Sequence, residues 1–256
     1  MTLRILVPVK RVVDANVRVR VNASGAIDTT GLKMSLNPFD ECALEKALQL
    51  REAGVASQVT VLTCGQPASQ DVLRTGLAMG ADDAILIDTG AATATLDSLA
   101  VARLLHATIA TGSVGLVLCG KQAIDDDTGG VAAMLAAMLG WPQALNASAI
   151  EPLADGWRVT CGDDTGMSTW KLSGASVISA DLRLAEPRRV TLPSIVKARQ
   201  KPLRTIDAAA LGTRLTPVSR IVALAEPPAR QAGIQLADTA ALLATIASAN
   251  LFQRAA

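Results

Sequence analysis

The sequence predicts an α/β protein of three layers, α/β/α, built on a parallel sheet, with an added hairpin and an extended C-terminal arm. Three observations predict it. Up to about residue 180, short β-rich runs alternate with longer helical ones. The strand runs are apolar at nearly every position, the pattern of a parallel sheet covered on both faces. Beyond residue 181, by contrast, six prolines and a basic stretch break the regular alternation.

Taken in order, the first strand is predicted at residues 5–9, followed by 17–21, whose polar and apolar residues alternate as in a hairpin arm. A helix is predicted at 38–53 with a well-marked start and stop. Asn37 suits the N-cap and Pro38 the first helical position, Asp40 and Glu41 oppose the positive end of the dipole, and Gly54 follows the last turn. A capped surface helix would explain all of this without a ligand. Strands at 58–63, 84–87, 116–119 and 176–180 alternate with helices at 68–79, 98–110 and 129–139, and residues 157–161 with 169–172 read as a second hairpin. Pro187, Pro193, Pro202, Pro217, Pro227 and Pro228 then interrupt a chain rich in Arg and Lys. A compact domain rarely needs so long a proline-broken tail, so residues 1–190 read as the α/β domain and 191–256 as a segment that packs on another protein. A terminal helix is expected at 238–252.

Composition narrows the function. The 256 residues are half hydrophobic and 18% charged, enough apolar material for a substantial core. The 24 Lys and Arg are balanced by 23 Asp and Glu and aromatics are scarce, which argues against nucleic acid as a partner. No apolar run approaches the roughly 20 residues of a membrane-spanning helix, so the protein is expected not to be membrane-embedded. Cys42, Cys64, Cys119 and Cys161 are widely spaced with a single histidine, His106, which argues against zinc and iron–sulfur sites and suggests reduced thiols.

The motifs point to a bound nucleotide. Residues 115–121 imitate G-x-x-x-x-G-K, but Gln122 follows where a magnesium-ligating Ser or Thr belongs, and residues 116–119 are the strand itself. There is no G-x-G-x-x-G for an ordinary NAD site and no G-x-S-x-G for a hydrolase triad. Asp125, Asp126 and Asp127 could hold a hard metal or serve as an acidic cap; adjacent carboxylates repel, which favours the cap. Thr128, Gly129, Gly130 and Val131 after them offer a hydroxyl and unobstructed amides to a phosphate. Pro8, Asn37, Cys64 and Gly120 all fall at the carboxyl edge of the expected sheet, where α/β proteins hold nucleotides. The fold class is therefore a parallel-sheet α/β/α nucleotide-binding domain without evident reaction machinery; a strand-end cysteine such as Cys64 is usually an inert small hydrophobe.

Six segments carry a resemblance to a known family: VPVKRVVDANVRVRV (7–21), MSLNPFDECALEKAL (34–48), VLTCGQPASQDVLRTGLAMGAD (61–82), LCGKQAIDDDTG (118–129), GWPQ (140–143) and ADLRLAEPRRVTLPSIVKARQKP (180–202). Together they closely resemble the β subunits of electron transfer flavoproteins. The resemblance implies an adenine nucleotide hydrolase-like fold in an αβ heterodimer. It also implies an electron carrier with no substrate turnover of its own, passing electrons from acyl-CoA and related dehydrogenases to a membrane quinone oxidoreductase. It implies FAD, held mainly by the α subunit and enclosed by this one, and one structural AMP. Carried over to this chain, the AMP contacts are Pro8, Asn37, Pro38, Phe39, Asp40 and Cys64, with Gly120, Lys121, Gln122, Ala123, Ile124, Asp125, Asp126, Asp127, Thr128, Gly129, Gly130 and Val131. Residues 180–201 resemble a loop that grips dehydrogenases, with Leu192 as its apolar anchor beside Pro193, Ile195 and Lys197; packed inside its own domain, Leu192 could not serve so.

Relatives often carry Asn-Gln-Thr at Gly129, Gly130 and Val131, so backbone amides would replace side-chain contacts to phosphate. Electron-bifurcating relatives bind a second FAD in the AMP site and tend to carry Arg at Lys121 and Gly at Asp126. Lys121 and Asp126 here favour AMP. A stand-alone adenine-nucleotide sensor and an ATP-dependent adenylating enzyme are the rivals from other classes. Alanine content and the absence of a transit peptide lead us to expect a bacterial cytoplasm, or the mitochondrial matrix in a eukaryote.

Overall fold

The computed structural model describes residues 3–22, 25–110, 112–219, 221–230 and 232–249. The chain opens with β1 (Arg4–Pro8), β2 (Arg11–Val13), the short pair β3 (Arg20–Val21) and β4 (Ile27–Asp28), β5 (Met34–Leu36) and helix α1 (Pro38–Glu52). Alternation follows through β6 (Gln58–Gly65), α2 (Gln70–Met79), β7 (Asp83–Asp88), α3 (Ser98–Ala110), β8 (Leu116–Gly120) and α4 (Val131–Leu139). Then come β9 (Gln143–Leu153), β10 (Gly156–Asp163), β11 (Gly166–Leu172), β12 (Ser176–Ala180), α5 (Leu192–Ala198), β13 (Leu203–Asp207) and α6 (Thr239–Ser248).

Nine strands form the main sheet in the order β11-β10-β9-β12-β8-β1-β6-β7-β13. All neighbours from β9 to β13 run parallel, and only the β9–β10 and β10–β11 pairings are antiparallel. The chain leaves β1 toward β6 and β7 on one side, then returns to place β8 and β12 on the other. The order reverses between β1 and β8, and a crevice opens at such a point beyond the strands' carboxyl ends.

Alternating side chains build a core on each face. Ile5, Val7, Val59, Val61, Leu116 and Leu118 point toward Leu44, Leu48, Leu73 and Leu77 of α1 and α2. Leu6, Leu62, Ile85, Ile87, Val117 and Val177 point toward Leu104 and Leu105 of α3 and Leu135 of α4. The predicted three-layer, mainly parallel architecture is the one observed, and all five predicted parallel strands and four core helices are present within a few residues.

The differences have local causes. Residues 67–69 form a 3-10 turn before α2, and α4 starts at Val131 because Gly129 takes a left-handed φ of 61°. Of residues 17–21, only Arg20 and Val21 pair, with β4. Residues 203–207, assigned by the sequence pattern to the arm, extend the sheet as β13 alongside β7; Pro202 precedes the strand, and its carbonyl accepts from the Ala84 amide at 3.0 Å. α6 covers most of the expected terminal helix, whose last three positions, 250–252, lie outside the described residues. The second hairpin forms as β10 and β11, and Gly156 is required at its start: at φ 122° its backbone leaves no room for a Cβ, which would fall on the Leu172 carbonyl.

Candidate functional site

Asp40 holds the crevice together. It stands in the first turn of α1, only 7% exposed, where a lone carboxylate would be costly. Two backbone amides compensate: Lys10 N donates to Oδ2 at 2.8 Å and Gly120 N to Oδ1 at 3.1 Å. The carboxylate thereby ties the loop after β1 to the end of β8. Gly120 is compulsory at this contact, because a Cβ there would overlap the Asp40 carboxylate and the Phe39 side chain. Burial pushes the Asp40 carboxyl up to about 7, despite the hydrogen bonds that favour its charged form.

Asn37, 1% exposed, works beside it. By position it is the N-cap of α1, yet its side chain makes no capping bond to that helix. Instead Nδ2 donates to the Gln122 carbonyl at 2.8 Å and Oδ1 accepts from the Ile124 amide at 3.2 Å. Its own N–H donates to the Lys10 carbonyl at 3.0 Å. Two loops distant in sequence, those after β1 and β8, are thus sewn to one helix end.

Around this seam lies a cavity of about 410 Å³. Leu62, Leu96, Val101, Leu105, Cys119 and Val131 supply apolar walls, and Lys10, Arg11 and Lys121 line it together with Asp40, Asp97, Asp125 and Asp126. Of the residues singled out from the sequence, Pro8, Asn37, Asp40, Cys64, Gly120, Lys121, Gln122, Ala123, Asp125, Asp126, Gly129, Gly130 and Val131 line it. Pro38, Phe39, Ile124, Asp127 and Thr128 are not among the lining residues. Ile124 donates to Asn37, Asp127 accepts from Gln122 Nε2 at 2.7 Å, and the Thr128 amide donates to Asp126 Oδ1 at 3.0 Å, so these three shape the loop.

Sequence reasoning missed the wall from the start of α3. Asp97 accepts from the Ala100 amide at 2.9 Å, capping α3, and from the Val218 amide at 2.6 Å, drawing the C-terminal segment to the rim where Ile221 completes the lining. The signal was present: Asp-Ser before an apolar run marks a helix start.

Several features of the crevice could hold an anion. Gly130 precedes α4 with no side-chain cap, leaving the helix's positive end to an anion. Lys10 Nζ reaches Asp125 Oδ1 at 2.7 Å and Asp126 Oδ2 at 2.9 Å. Burial lowers the Lys10 ammonium, but these two carboxylates outweigh it and raise its pKa, so the cation persists at neutral pH. The pairing also commits Asp125 and Asp126 to an ammonium rather than to a metal. Burial pushes the Cys64 thiol up to about 12 and the Cys119 thiol also upward, so neither is an activated nucleophile. Apolar walls, basic residues and an uncapped helix N-terminus are together features that could hold an adenylate.

The residues predicted to meet partners lie elsewhere. Leu192 is 79% exposed at the start of α5, with Pro193, Ile195, Val196 and Lys197 also exposed, so Leu192 is not packed inside its own domain.

Comparison with known proteins follows the same lines. Residues 24–211 match the model of the electron transfer flavoprotein domain. A Bradyrhizobium diazoefficiens protein named electron transfer flavoprotein subunit beta is 44% identical over 245 residues, 95% of this chain and 97% of that protein. A human protein of the same name is 41% identical, covering 95% of this chain and 96% of its own length. An Oryza sativa subsp. indica protein, whose name adds "mitochondrial", is 42% identical over 94% of this chain and 96% of its own.

Asp40 gives a pH test. Its carboxyl titrates near 7 when folded and near 3.9 when unfolded, so between these values the folded protein binds the extra proton. Its contribution to stability is therefore greatest at low pH and falls as pH rises through that window, by on the order of a few kcal/mol. Asp40→Asn removes the titration. Denaturation at pH 5 and pH 8 is expected to show the parent losing stability relative to the variant at the higher pH; a constant difference would rule the assignment out.

Proposed function

The chain belongs to the electron transfer flavoprotein family as a β subunit, and on that premise we propose that it works in an αβ heterodimer. The heterodimer takes electrons from acyl-CoA and related dehydrogenases and delivers them to a membrane quinone oxidoreductase. In this reading the chain has no substrate turnover of its own. It buries an AMP in the crevice between β1 and β8 and closes over an FAD held mainly by the α subunit. The observation that carries the reading is the make-up of the crevice: apolar walls, Lys10, Arg11 and Lys121 interleaved with carboxylates, and an uncapped helix start, while both its thiols are held protonated by burial.

The residues fit these groups. Leu62, Leu96, Val101 and Leu105 would hold an adenine by apolar contact, and the amides before α4 with Lys121 would hold a phosphate. FAD, when bound, supplies the redox chemistry, since no side chain of this subunit is needed for it. The subunit's part is to shield and to dock. Val19 and Ile27 of the β2–β5 loop stay exposed, as apolar surface awaiting a neighbour would.

The same holds for the C-terminal arm. α6 buries none of its residues on this chain, although Leu242 and Leu243 are apolar, and Val218, Val222 and Ile234 are exposed before it. Such a helix gains little from its own domain, which supports its packing on the α subunit. Leu192, Pro193, Ile195 and Lys197 of α5 form the dehydrogenase-docking surface. Asp126 favours AMP over a second FAD, because its carboxylate is engaged by Lys10 and by the Thr128 amide and so keeps the phosphate loop closed. We place the heterodimer in the bacterial cytoplasm, or in the mitochondrial matrix of a eukaryote. No helix among the described residues is long and apolar enough to cross a membrane.

Co-expression with an α subunit tests the reading: the pair should be yellow with one FAD and release AMP on acid extraction. A colourless protein that turns over ATP would refute it, and two FAD without AMP would favour the bifurcating type. Gly130→Asp should abolish AMP retention, because a Cβ at 130 already lies 3.3 Å from Ser98 Cβ and the carboxylate would face the phosphate. Full AMP stoichiometry in that variant would put the phosphate elsewhere. Leu192→Ala should weaken dehydrogenase docking by about 2 kcal/mol with flavin content unchanged, read from reduction kinetics at limiting flavoprotein.

A further inference from the structure

Between β12 and β13 the chain crosses the outer surface of α1 and α2, and two sets of side chains pin it there. At the near end Arg188 is forked onto Glu45, with Nε to Oε2 at 2.7 Å and Nη2 to Oε1 at 2.9 Å, while its own amide donates to Oε2 at 3.2 Å. The same guanidinium reaches Glu52, Nη1 to Oε1 at 2.6 Å and Nη2 to Oε2 at 3.1 Å. Glu45 is buried, and the fork is what makes its charge tolerable there. At the far end Arg74 Nη1 of α2 donates to the carbonyls of Ala198 at 2.9 Å and Lys201 at 3.2 Å. Lys201 Nζ answers by donating to the carbonyls of Leu77 at 3.0 Å and Ala81 at 2.5 Å.

Between the pins, α5 turns only Ala198 into the protein and leaves Leu192, Ile195 and Val196 outward. A helix of 7 residues cannot sustain itself in water. The Thr191–Ser194 capping box fixes its first turn but does not attach it to the domain. Its attachment comes from Arg188 and Arg74, together with Lys201 and the packing of Val190, Ala198 and Leu203 on the core.

We propose that Arg188 and Arg74 are positioning residues that hold α5 in its docking-ready conformation, without themselves meeting the partner. The proposal rests on the reading of α5 as the dehydrogenase-docking surface. Holding the helix in place beforehand removes the cost of ordering it at each encounter, and a carrier that must meet and leave its donors repeatedly benefits each time.

The test uses the FAD-loaded heterodimer with an acyl-CoA dehydrogenase and its acyl-CoA, comparing Arg188→Gln, Arg74→Met and Leu192→Ala. Both arginine variants should raise the KM of the dehydrogenase for the flavoprotein roughly threefold to tenfold. Turnover at saturating flavoprotein and flavin reduction by dithionite should not change, and amides 189–197 should exchange faster. Glu45→Gln with Glu52→Gln should reproduce Arg188→Gln, and combining all three should add little, as partners in one network do. If Arg188→Gln fails to assemble, Arg74→Met decides, since its pin lies at the other end. Unchanged KM in the arginine variants, with a raised KM in Leu192→Ala, overturns the pinning and spares the docking surface. Unchanged KM in Leu192→Ala overturns the docking surface itself, and the pinning with it.

Discussion

A carboxylate buried at the first turn of a helix is an unstable thing unless something close by donates to it, and the crevice of this protein is organised around meeting that need. Asp40 can be accommodated only if the amides of Lys10 and Gly120 converge on it, which brings the end of β8 against the loop after β1. The positive end of α1 favours the charge and burial opposes it. Burial prevails over the hydrogen bonds that favour the charge, and the carboxyl is lifted to about 7. Asn37 extends the same logic by taking its partners from Gln122 and Ile124. Without the pair, the loop of residues 120–130 would have no fixed edge from which to present its glycines.

The position of the crevice follows from strand order rather than from any one motif. Because β1 has β6 on one side and β8 on the other, the loops after β1 and β8 leave the sheet toward opposite faces and part above it. α1 and α2 cover one face and α3 and α4 the other, so the gap is walled by the starts of α1, α3 and α4. The apolar content that makes the sheet also lines the slot: Leu62 and Leu105 belong to the core and to the cavity at once.

Much of this was legible in the residue order. Buried parallel strands are continuous apolar runs, and β1, β6, β7, β8 and β12 announce themselves in that way. Their ends, read as one edge, located the crevice. What stayed hidden depends on contacts at long range. β9 contains Asn146 and Pro152 and reads poorly as a strand; it forms because β12 and β10 flank it. β13 sits among proline and basic residues and is recognisable only once β7 offers an edge. Asn37 looks like an ordinary cap, since nothing local reveals that its side chain reaches residues 85 and 87 positions away.

Helix α1 carries an obligation at each end. Asn37 at its cap and Asp40 in its first turn are supplied to the crevice, and its later turns supply Glu45 and Glu52 to the strap that bears α5. The 15 residues of the helix form one stiff rod, about 22 Å long at the usual rise per residue. A small roll or slide of that rod cannot be confined to one end. Drift in its inward-facing leucines would disturb the crevice and the mounting of α5 together, so natural variation along this helix is expected to come in compensated sets.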